Sequence, residues 1–336
     1  MQKILIIQTA FIGDVVLATG IVEKLHQTYP NAVIDFLLRK GNETLFANHP
    51  FIGEVLVWDK KGSKYKNLLH ILLKIRRKKY DVLVNVQRFA ATGFLTAFSK
   101  AKLKIGFDKN PFSFLFDIKV KHTVSNEHKP LHEIERNQFL ISSIAQGKAF
   151  NPKLYPSATD FDFVKKYKHE DYICIAPASV WYTKQFAKEK WVELICNLPS
   201  NYAIYLLGAP SDMSLCEEII ALSQNLKCKN LAGKLTFLQS AALQKDAVMN
   251  YVNDSAPMHF ASAVNAKVTA IYCSTLPSFG FGPLSDESYV VQTSEKLSCK
   301  PCGLHGKASC PQEHFKCCST IKVEQLINTL STKENR

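Results

Sequence analysis

The sequence VMNYVNDSAPMHFASAVNAKVTAIYC, residues 248–273, contains a complete strand–helix–strand unit. VMNYVND (248–254) and KVTAIYC (267–273) are predicted strands, and a helical pattern begins between them at Ala256. Apolar strands that alternate with segments long enough for a helix are typical of a parallel sheet covered on both faces. This unit therefore predicts an α/β fold.

The same alternation extends through both halves of the chain. The apolar runs are KILIIQ (3–8), VIDFLL (33–38), EVLVW (54–58) and DVLVNV (81–86) in the first half, and YICIAP (172–177) and AIYLLG (203–208) at the start of the second. Helical patterns occur around residues 188–198 and 212–223. We therefore predict two doubly wound, Rossmann-like domains in tandem. Ligands bind outside the carboxyl ends of the strands in such sheets, so a cleft between two facing domains is the expected active site.

The segment 148–168 separates the two alternating halves. It contains two prolines and has weak periodicity, which are features of an interdomain linker. The predicted domains are residues 1–155 and residues 165–336, and the second ends in a cysteine-rich loop.

Composition excludes several classes of protein. Of the 336 residues, 46% are hydrophobic and 21% are charged, as in a folded soluble protein. No run of 18 apolar residues occurs, and the N-terminal sequence MQKILIIQTAFIGD has the pattern of a strand without a cationic leader. We therefore expect neither a membrane-spanning helix nor a secretory signal. The expected location is the cytoplasm, and peripheral attachment at the inner face of the inner membrane stays open.

Positive charge is concentrated in the first half. Residues 1–165 hold 25 Lys and Arg against 14 Asp and Glu, whereas residues 166–336 hold 17 against 15. Residues 60–79 contain nine basic residues, no acidic residue and six interleaved leucines and isoleucines. This pattern predicts a basic amphipathic helix, which favours an anionic membrane surface or a polyanionic partner.

The alternative for this helix is a solvated face whose leucines pack on the protein's own sheet. No nucleic-acid motif or aromatic stacking platform accompanies the charge, so nucleic acid is not an expected partner.

The chain has ten cysteines, which we expect to be reduced thiols or metal ligands. Five cluster near the end, at Cys299, Cys302, Cys310, Cys317 and Cys318. One interpretation is a structural zinc ion held by Cys299, Cys302, Cys310 and either Cys317 or Cys318, although the spacing matches no standard zinc finger. The other is an ordinary loop with buried thiols. Neither makes the loop catalytic.

Gly13 and Asp14 follow the first predicted strand and open a helix. The glycine permits a tight turn, and the positive end of the helix dipole stabilises the Asp14 carboxylate. The alternative role for Asp14 is a structural helix cap. No G-x-G-x-x-G pattern follows a strand, which disfavours a dinucleotide-dependent dehydrogenase.

Polar side chains also follow three predicted strands of the second half. A diphosphate needs such groups, because hydroxyls and the N–H groups of a helix N-terminus donate to its oxygens while an ammonium neutralises its charge. Each residue alone also has an ordinary role, as a cap, a surface lysine or a helix histidine. Their matching positions favour a diphosphate site formed by Ser179, Thr183, Lys184, Asp212, Asp254, Ser255 and His259.

Several segments together resemble the ADP-heptose:lipopolysaccharide heptosyltransferases, glycosyltransferase family 9. They are FIGDVVLATGIVEKLHQTYP, VNVQRF, KIGFDK, LHEIERN, SVWYTKQFAKEKWVEL, LLGAPSD, NLAGKLTFLQSAAL, the cysteine-rich tail and, most specifically, VNDSAPMHFASAVNAKVTAIYCSTLPSFGFGPL. The resemblance covers nearly the whole chain. It implies the GT-B fold, with an acceptor-side first domain and a nucleotide-sugar-binding second domain.

The resemblance also implies an activity, the transfer of heptose with inversion from ADP-heptose to the inner core of lipopolysaccharide, without a metal or other cofactor. The implied partners are the lipid A-core acceptor, which is rich in phosphate and carboxylate, and the anionic inner leaflet. The implied roles are general base for Asp14, stabilisation of the departing diphosphate by Lys184, Ser255 and Ala256, a phosphate contact for Ser179 and a nucleoside contact for Asp212. Gly13, Thr183, Asp254 and His259 complete the expected substrate-binding set.

Two alternatives remain at this point. The first is a transferase of the same fold that uses a different nucleotide-activated sugar, because the family commonly has glycine at the position of Ala256 in the donor site. The second is a non-catalytic nucleotide-sugar-binding protein. Asp14 argues against the second, because a binding protein has no use for a general base.

Overall fold

The computed structural model describes residues 2–123, 125 and 130–330. The chain divides into two compact units, of which the first ends at Tyr155 and the second begins at Pro156. Each unit is built around one six-stranded sheet, and all neighbouring strands in both sheets are parallel.

The first unit has the strand order β3-β2-β1-β4-β5-β6. Its strands are β1 (Lys3–Ile7), β2 (Val33–Arg39), β3 (Ile52–Trp58), β4 (Val82–Asn85), β5 (Leu103–Phe107) and β6 (Ile118–Val120). Its helices are α1 (Ile12–Thr28), α2 (Lys64–Lys78), α3 (Ala90–Ala97) and α4 (Glu133–Ile141).

The second unit has the strand order β12-β11-β10-β7-β8-β9. Its strands are β7 (Tyr172–Ala176), β8 (Ala203–Leu206), β9 (Cys228–Asn230), β10 (Met249–Asn253), β11 (Val268–Tyr272) and β12 (Ser288–Gln292). Its helices are α5 (Ala158–Val164), α6 (Lys188–Asn197), α7 (Met213–Ser223), α8 (Phe237–Lys245), α9 (Ala256–Ala263), α10 (Lys316–Ser319) and α11 (Val323–Leu330).

The two sheets have the same topology. When the strands of each unit are numbered along the chain from one to six, their order across the sheet is 3-2-1-4-5-6. This is the doubly wound order, so the predicted α/β, GT-B fold class is confirmed. The order reverses between β1 and β4 and between β7 and β10, and a doubly wound sheet binds ligands at the carboxyl side of this switch point.

Burial of both sheet faces explains why the central strands are continuous apolar runs. In β7, Ile173 and Ile175 belong to one hydrophobic cluster, whereas Tyr172, Cys174 and Ala176 belong to a second cluster on the other face. Successive side chains of a strand point to opposite faces, so both sets must be apolar. The edge strands β6, β9 and β12 are less buried and include charged or polar residues, and no apolar run predicts them.

The predicted basic helix corresponds to α2, which begins at Lys64 rather than at residue 60. Its side chains Leu68, Ile71, Leu72 and Ile75 are buried in the core of the first unit. The expectation that apolar residues of this helix pack on the protein's own sheet is therefore confirmed for these four. Among the residues described, no helix is both long and apolar enough to cross a membrane.

Asp35 is a buried carboxylate at an irregularity between β2 and β3. The ladder between these strands shifts register between Ile34 and Phe36, and the Glu54 backbone N–H donates to Asp35 Oδ1 at 2.9 Å. The Tyr80 hydroxyl and the Lys78 ammonium donate to Oδ2 at 2.6 and 3.0 Å. Burial, followed by the bond to Asp35, raises the pKa of Tyr80. One carboxylate thus satisfies three donors.

Replacement of Asp35 by alanine should lower the free energy of unfolding of the first unit by about 2–4 kcal/mol, because it leaves the buried Tyr80 hydroxyl and the Glu54 backbone N–H without their acceptor, while Lys78 keeps only its ion pair with Glu54. Urea denaturation at neutral pH measures the change. The control is Asp59→Ala, which removes the exposed ion pair with Lys40 and should cost much less. Equal losses in the two variants would contradict a structural role for Asp35.

Candidate functional site

The carboxyl ends of β7 and β10 are joined by the side chain of Asn253. This side chain is fully buried. Its Oδ1 accepts a hydrogen bond from the Phe186 backbone N–H at 2.9 Å, and its Nδ2 donates to the Pro177 carbonyl at 2.8 Å. Asn253 therefore holds the loop that follows β7 against the end of β10, at the switch point of the second sheet.

Two of the predicted site residues, Lys184 and Asp254, form an ion pair at this position. The Lys184 ammonium lies 2.7 Å from Asp254 Oδ2, and the two side chains are 16% and 8% exposed. The Thr275 hydroxyl donates to the same carboxylate oxygen at 2.6 Å. A largely desolvated ion pair with a third partner has a restricted geometry, so the ammonium is held at the carboxyl edge of the sheet.

Thr183, the neighbour of Lys184, is buried and contacts the cysteine-rich loop. Its Oγ1 accepts hydrogen bonds from the Lys307 N–H at 2.8 Å and from the Ser274 hydroxyl at 3.0 Å. Its own backbone N–H donates to the Lys307 carbonyl at 3.1 Å. These contacts assign Thr183 a structural role, whatever else it binds.

The N-terminus of α9 lies directly after Asp254. Ser255 is the N-cap residue, and its side chain makes no capping hydrogen bond, whereas Pro257 in the first turn has no N–H to donate. Ala256 starts the helix and is not among the described residues with positive φ. The alanine at this position therefore carries no left-handed backbone strain. His259 is buried in the next turn.

The remaining predicted residues of the second unit lie at neighbouring strand ends. Ser179 is half-buried, and its carbonyl accepts a hydrogen bond from Gln185 Nε2 at 2.6 Å. Asp212 caps a short 3-10 turn after β8, with its Oδ2 accepting from the Ala209 N–H at 2.8 Å and its Oδ1 from the Ser211 hydroxyl at 3.1 Å. Both residues stay predictions as ligand contacts.

In the first unit, Gly13 and Asp14 lie in the first turn of α1, immediately after β1. Gly13 is buried, and Asp14 is half-buried. At the switch point of this sheet the Thr9 hydroxyl donates to Gln87 Oε1 at 2.6 Å, which joins the ends of β1 and β4. Asp14 is therefore at the carboxyl edge, as predicted from the order of elements, and its role as a base stays a prediction.

Two cations outside the predicted site residues lie at the same edge as Asp14, and one of them, Lys60, belongs to the basic segment 60–79. The Arg39 guanidinium is 4.8 Å from the ring centroid of Phe11, and the Lys60 ammonium is 4.8 Å from that of Trp58. Lys60 also donates to the Thr9 carbonyl at 2.7 Å. Partial burial, followed by the positive charges of Arg39 and Lys64, lowers the pKa of Lys60 to about 8. These cations suit an anionic ligand next to Asp14.

Of the two interpretations of the cysteine-rich loop, the arrangement of its described side chains favours the loop with buried thiols. Among the residues described, no three or more His, Cys, Asp or Glu side chains form a group that could hold a metal ion. Cys317 and Cys318 are instead buried in the core of the second unit, and burial raises the pKa of the Cys317 thiol to about 12. The alternative of a loop with buried thiols describes these two cysteines. Cys299, Cys302 and Cys310 are half-buried.

Sequence reasoning missed three residues that organise the site. The sequence analysis treats Asn253 only as part of a predicted strand. An amide at the last position of a buried strand nevertheless indicates a side chain that bonds to a neighbouring segment. Ser274 and Thr275 lie two and three residues after the end of β11, so the rule that located Asp254 after β10 also points to them.

A model of glycosyltransferase family 9 (heptosyltransferase) matches residues 69–311 of this chain. Lipopolysaccharide heptosyltransferase 3 of Escherichia coli K12 is 27% identical over 279 residues, which cover 78% of this chain and 80% of that protein. Lipooligosaccharide heptosyltransferase 2 of Campylobacter jejuni is 24% identical over 335 residues, with 98% of each chain covered.

Two solved structures from Escherichia coli have a similar fold. The ADP-heptose lipopolysaccharide heptosyltransferase II has a TM-score of 0.76 at 21% identity, covering 99% of this chain and 100% of that chain. Heptosyltransferase WaaC with ADP has a TM-score of 0.70 at 17% identity, covering 98% and 97%. The family match spans more than half of the sequence, and together with the doubly wound sheets it shows that this chain belongs to glycosyltransferase family 9, the heptosyltransferases.

Proposed function

We propose that the protein transfers heptose from ADP-heptose to the inner core of lipopolysaccharide, with inversion at the anomeric carbon and Asp14 as the general base. The Lys184–Asp254 pair at the start of α9 is the observation that carries this proposal. An ammonium beside a helix N-terminus matches a diphosphate in charge and in hydrogen-bond donors. The ADP complex of the Escherichia coli relative supports adenosine as the nucleoside.

The ion pair prepares Lys184 for the donor. Asp254 and Thr275 hold the ammonium in one place before the donor arrives, so less side-chain freedom is lost on binding. The donor diphosphate accepts hydrogen bonds from Lys184, from the backbone N–H groups at the start of α9 and from the hydroxyls of Ser179 and Ser255. Asp212, after β8, contacts the nucleoside.

In the proposed reaction, an acceptor hydroxyl oxygen attacks the anomeric carbon on the face opposite the diphosphate. A new carbon–oxygen bond forms, the bond from the anomeric carbon to the phosphate oxygen breaks, and the hydroxyl proton moves to the Asp14 carboxylate. Lys184 and the N-terminus of α9 stabilise the negative charge that grows on the leaving ADP. Because these groups supply the positive charge, the proposed reaction requires no metal ion.

The acceptor binds to the first unit in this proposal. Arg39 and Lys60 lie at the same carboxyl edge as Asp14, and their charge complements the phosphate and carboxylate groups of a lipid A-core acceptor. We also propose that the protein associates with the anionic inner leaflet, where such an acceptor is embedded.

A panel of nucleotide sugars, assayed for transfer by the purified protein, separates this function from its alternatives. Turnover of ADP-heptose supports the proposal. Turnover of a different nucleotide sugar alone would identify a transferase of the same fold with another donor. Tight binding of ADP-heptose with no transfer to any inner-core acceptor would identify a non-catalytic binding protein.

The variant Asp14→Asn keeps the shape of the side chain but cannot accept the proton at neutral pH. We expect kcat to fall by about 10²–10⁴-fold with the affinity for ADP unchanged. Steady-state kinetics and calorimetry with ADP measure the two effects. If turnover remains at the level of the parent protein, Asp14 is not the base.

The variant Lys184→Ala removes a charged donor to the diphosphate in both the ground state and the transition state. ADP affinity should fall by about 10–150-fold, which corresponds to the loss of roughly 1.5–3 kcal/mol for a hydrogen bond to a charged group. The matched control is Lys188→Ala, which removes a lysine paired with Glu218 on the surface of α6. Calorimetry that gives the same ADP affinity for both variants would rule out the role of Lys184.

A further inference from the structure

The basic segment 60–79 is divided between opposite edges of the first sheet. Helix α2 begins after the carboxyl end of β3 and ends before the amino end of β4, so in a parallel sheet its two ends lie at opposite edges. Lys60 is at the carboxyl edge with Thr9. Arg76, Arg77 and Lys79 are at the amino edge, opposite the edge at which Asp14 lies. These three cations therefore serve a different site from the reacting acceptor sugar.

The amino-edge cations line a depression of about 470 Å³. Its lining residues are Arg76, Arg77, Lys79, Tyr80, Lys100 and Lys102. Lys102 is paired with Asp81 at 2.7 Å, whereas the other four cations form no ion pair with any described residue. Four positive charges around one concave surface repel each other, and an anionic ligand would relieve this repulsion.

An exposed apolar stripe runs along α2 toward this depression. Tyr65, Leu69 and Leu73 are 76%, 52% and 51% exposed, and their spacing of four places them on one face of the helix. Arg76 and Arg77 follow Leu73 by three and four residues, so they continue that face. Arg76 Nε donates to the carbonyl of Phe98 at 2.6 Å, and the Phe98 ring is 39% exposed.

We infer that this surface, which we call the α2 patch (Tyr65, Leu69, Leu73, Arg76, Arg77, Lys79, Phe98 and Lys100), docks the protein on an anionic bilayer. Arginine and lysine bind the phosphate headgroups, while the tyrosine, leucine and phenylalanine side chains enter the interface between headgroups and acyl chains. A nucleic acid would use the charge but not the aliphatic stripe. No residue of the patch is a proposed contact of the acceptor, so this inference adds a docking surface to the proposed function and depends on that function only for its biological purpose.

The test compares binding to phosphatidylcholine vesicles with and without phosphatidylglycerol by cosedimentation at low salt. The parent protein should bind only the anionic vesicles. The triple variant Arg77→Glu, Lys79→Glu, Lys100→Glu should bind them at least about 100-fold more weakly, because each basic residue near the surface contributes about five-fold in affinity. Added salt should reproduce this loss, since exposed charges are screened beyond roughly 8–10 Å.

The matched control reverses three exposed lysines of the second unit, Lys166, Lys229 and Lys245, and should bind like the parent protein. Equal vesicle binding by the two triple variants would overturn the inference, as would a parent protein that binds heparin or RNA but no vesicle. Neither donor nor acceptor is present in this assay. Failure of the docking surface is therefore distinguishable from failure of the proposed transfer, which a soluble acceptor fragment tests separately.

A second inference rests on an independent observation, the packing of Gly306 against Lys184. Gly306 has φ +77°, and a Cβ at this position would lie 2.9 Å from Cγ of Lys184 and 3.1 Å from Oγ1 of Thr183. The next residue, Lys307, is hydrogen-bonded to Thr183 through both its N–H and its carbonyl. The backbone of the cysteine-rich loop therefore packs directly against Thr183 and against Lys184, whose side chain ends in the ammonium.

We propose that loop 302–307 is a positioning element for the Lys184 ammonium. The loop is anchored at its start, where the Cys302 N–H donates to the Ser274 carbonyl at 2.8 Å, and Ser274 also donates to Thr183. Displacement of the loop would move Lys184 relative to Asp254 without removing any group that contacts the donor. This role depends on the proposed diphosphate site.

The chain offers a matched pair of variants for this test. Gly303 has the same φ of +77°, but a Cβ there would have no neighbour within 4 Å. Gly306→Ala and Gly303→Ala therefore introduce equal backbone strain, and only the first displaces Lys184. We expect kcat/KM with ADP-heptose to fall about 10–100-fold for Gly306→Ala relative to Gly303→Ala, with ADP affinity reduced in parallel and melting temperatures that match.

If Gly306→Ala does not fold, Ser274→Ala provides a second comparison, because it removes the hydroxyl that donates to Thr183 beside the anchored start of the loop without removing any group that is proposed to contact the donor. Equal ADP affinity for the altered protein and for Gly303→Ala would overturn the positioning role. A parent protein that does not bind ADP would instead contradict the proposed function, so the two failures are distinct.

Discussion

Burial of both faces of each parallel sheet is the constraint on which the rest of the structure depends. It favours apolar side chains along the central strands, as in β7, and it requires any polar side chain buried there, such as Asp35 in β2, to be hydrogen-bonded. Asn253 meets the same requirement at a strand end. Its amide is fully buried at the last residue of β10 and bonds to backbone groups of the neighbouring segment. The chemistry of each unit is consequently located at an edge of its sheet.

The two edges of the first sheet have different electrostatic surroundings. At the carboxyl edge, Arg39 and Lys60 accompany Asp14 and are stacked on aromatic rings, which gives them fixed positions suited to one anionic group. At the amino edge, an open depression is lined by Arg76, Arg77, Lys79, Lys100 and Lys102. Its size and its several positive charges suit contact with several phosphate headgroups of a bilayer. Helix α2 connects the two edges, so one basic segment of the sequence supplies both.

The central fold could be predicted from the sequence because doubly buried strands such as β1 and β7 are nearly continuous apolar runs. Edge strands such as β9 could not, since half-exposed strands include polar residues. Lys184 and Asp254 could be assigned to strand ends, but their direct contact depends on β7 and β10 being neighbours, which the order of the strands along the chain does not determine. The division of the basic segment follows from the predicted order of elements, because a helix between two parallel strands begins at the carboxyl edge and ends at the amino edge.

The central claim is that the diphosphate of the donor binds between Lys184 and the N-terminus of α9. A crystal structure of the protein with ADP tests it most directly. The account predicts phosphate oxygens within hydrogen-bond distance of Lys184 Nζ and of the backbone N–H groups at Ser255 and Ala256, with the nucleoside near Asp212. ADP bound to the first unit, or a diphosphate that makes no contact with Lys184, would contradict it.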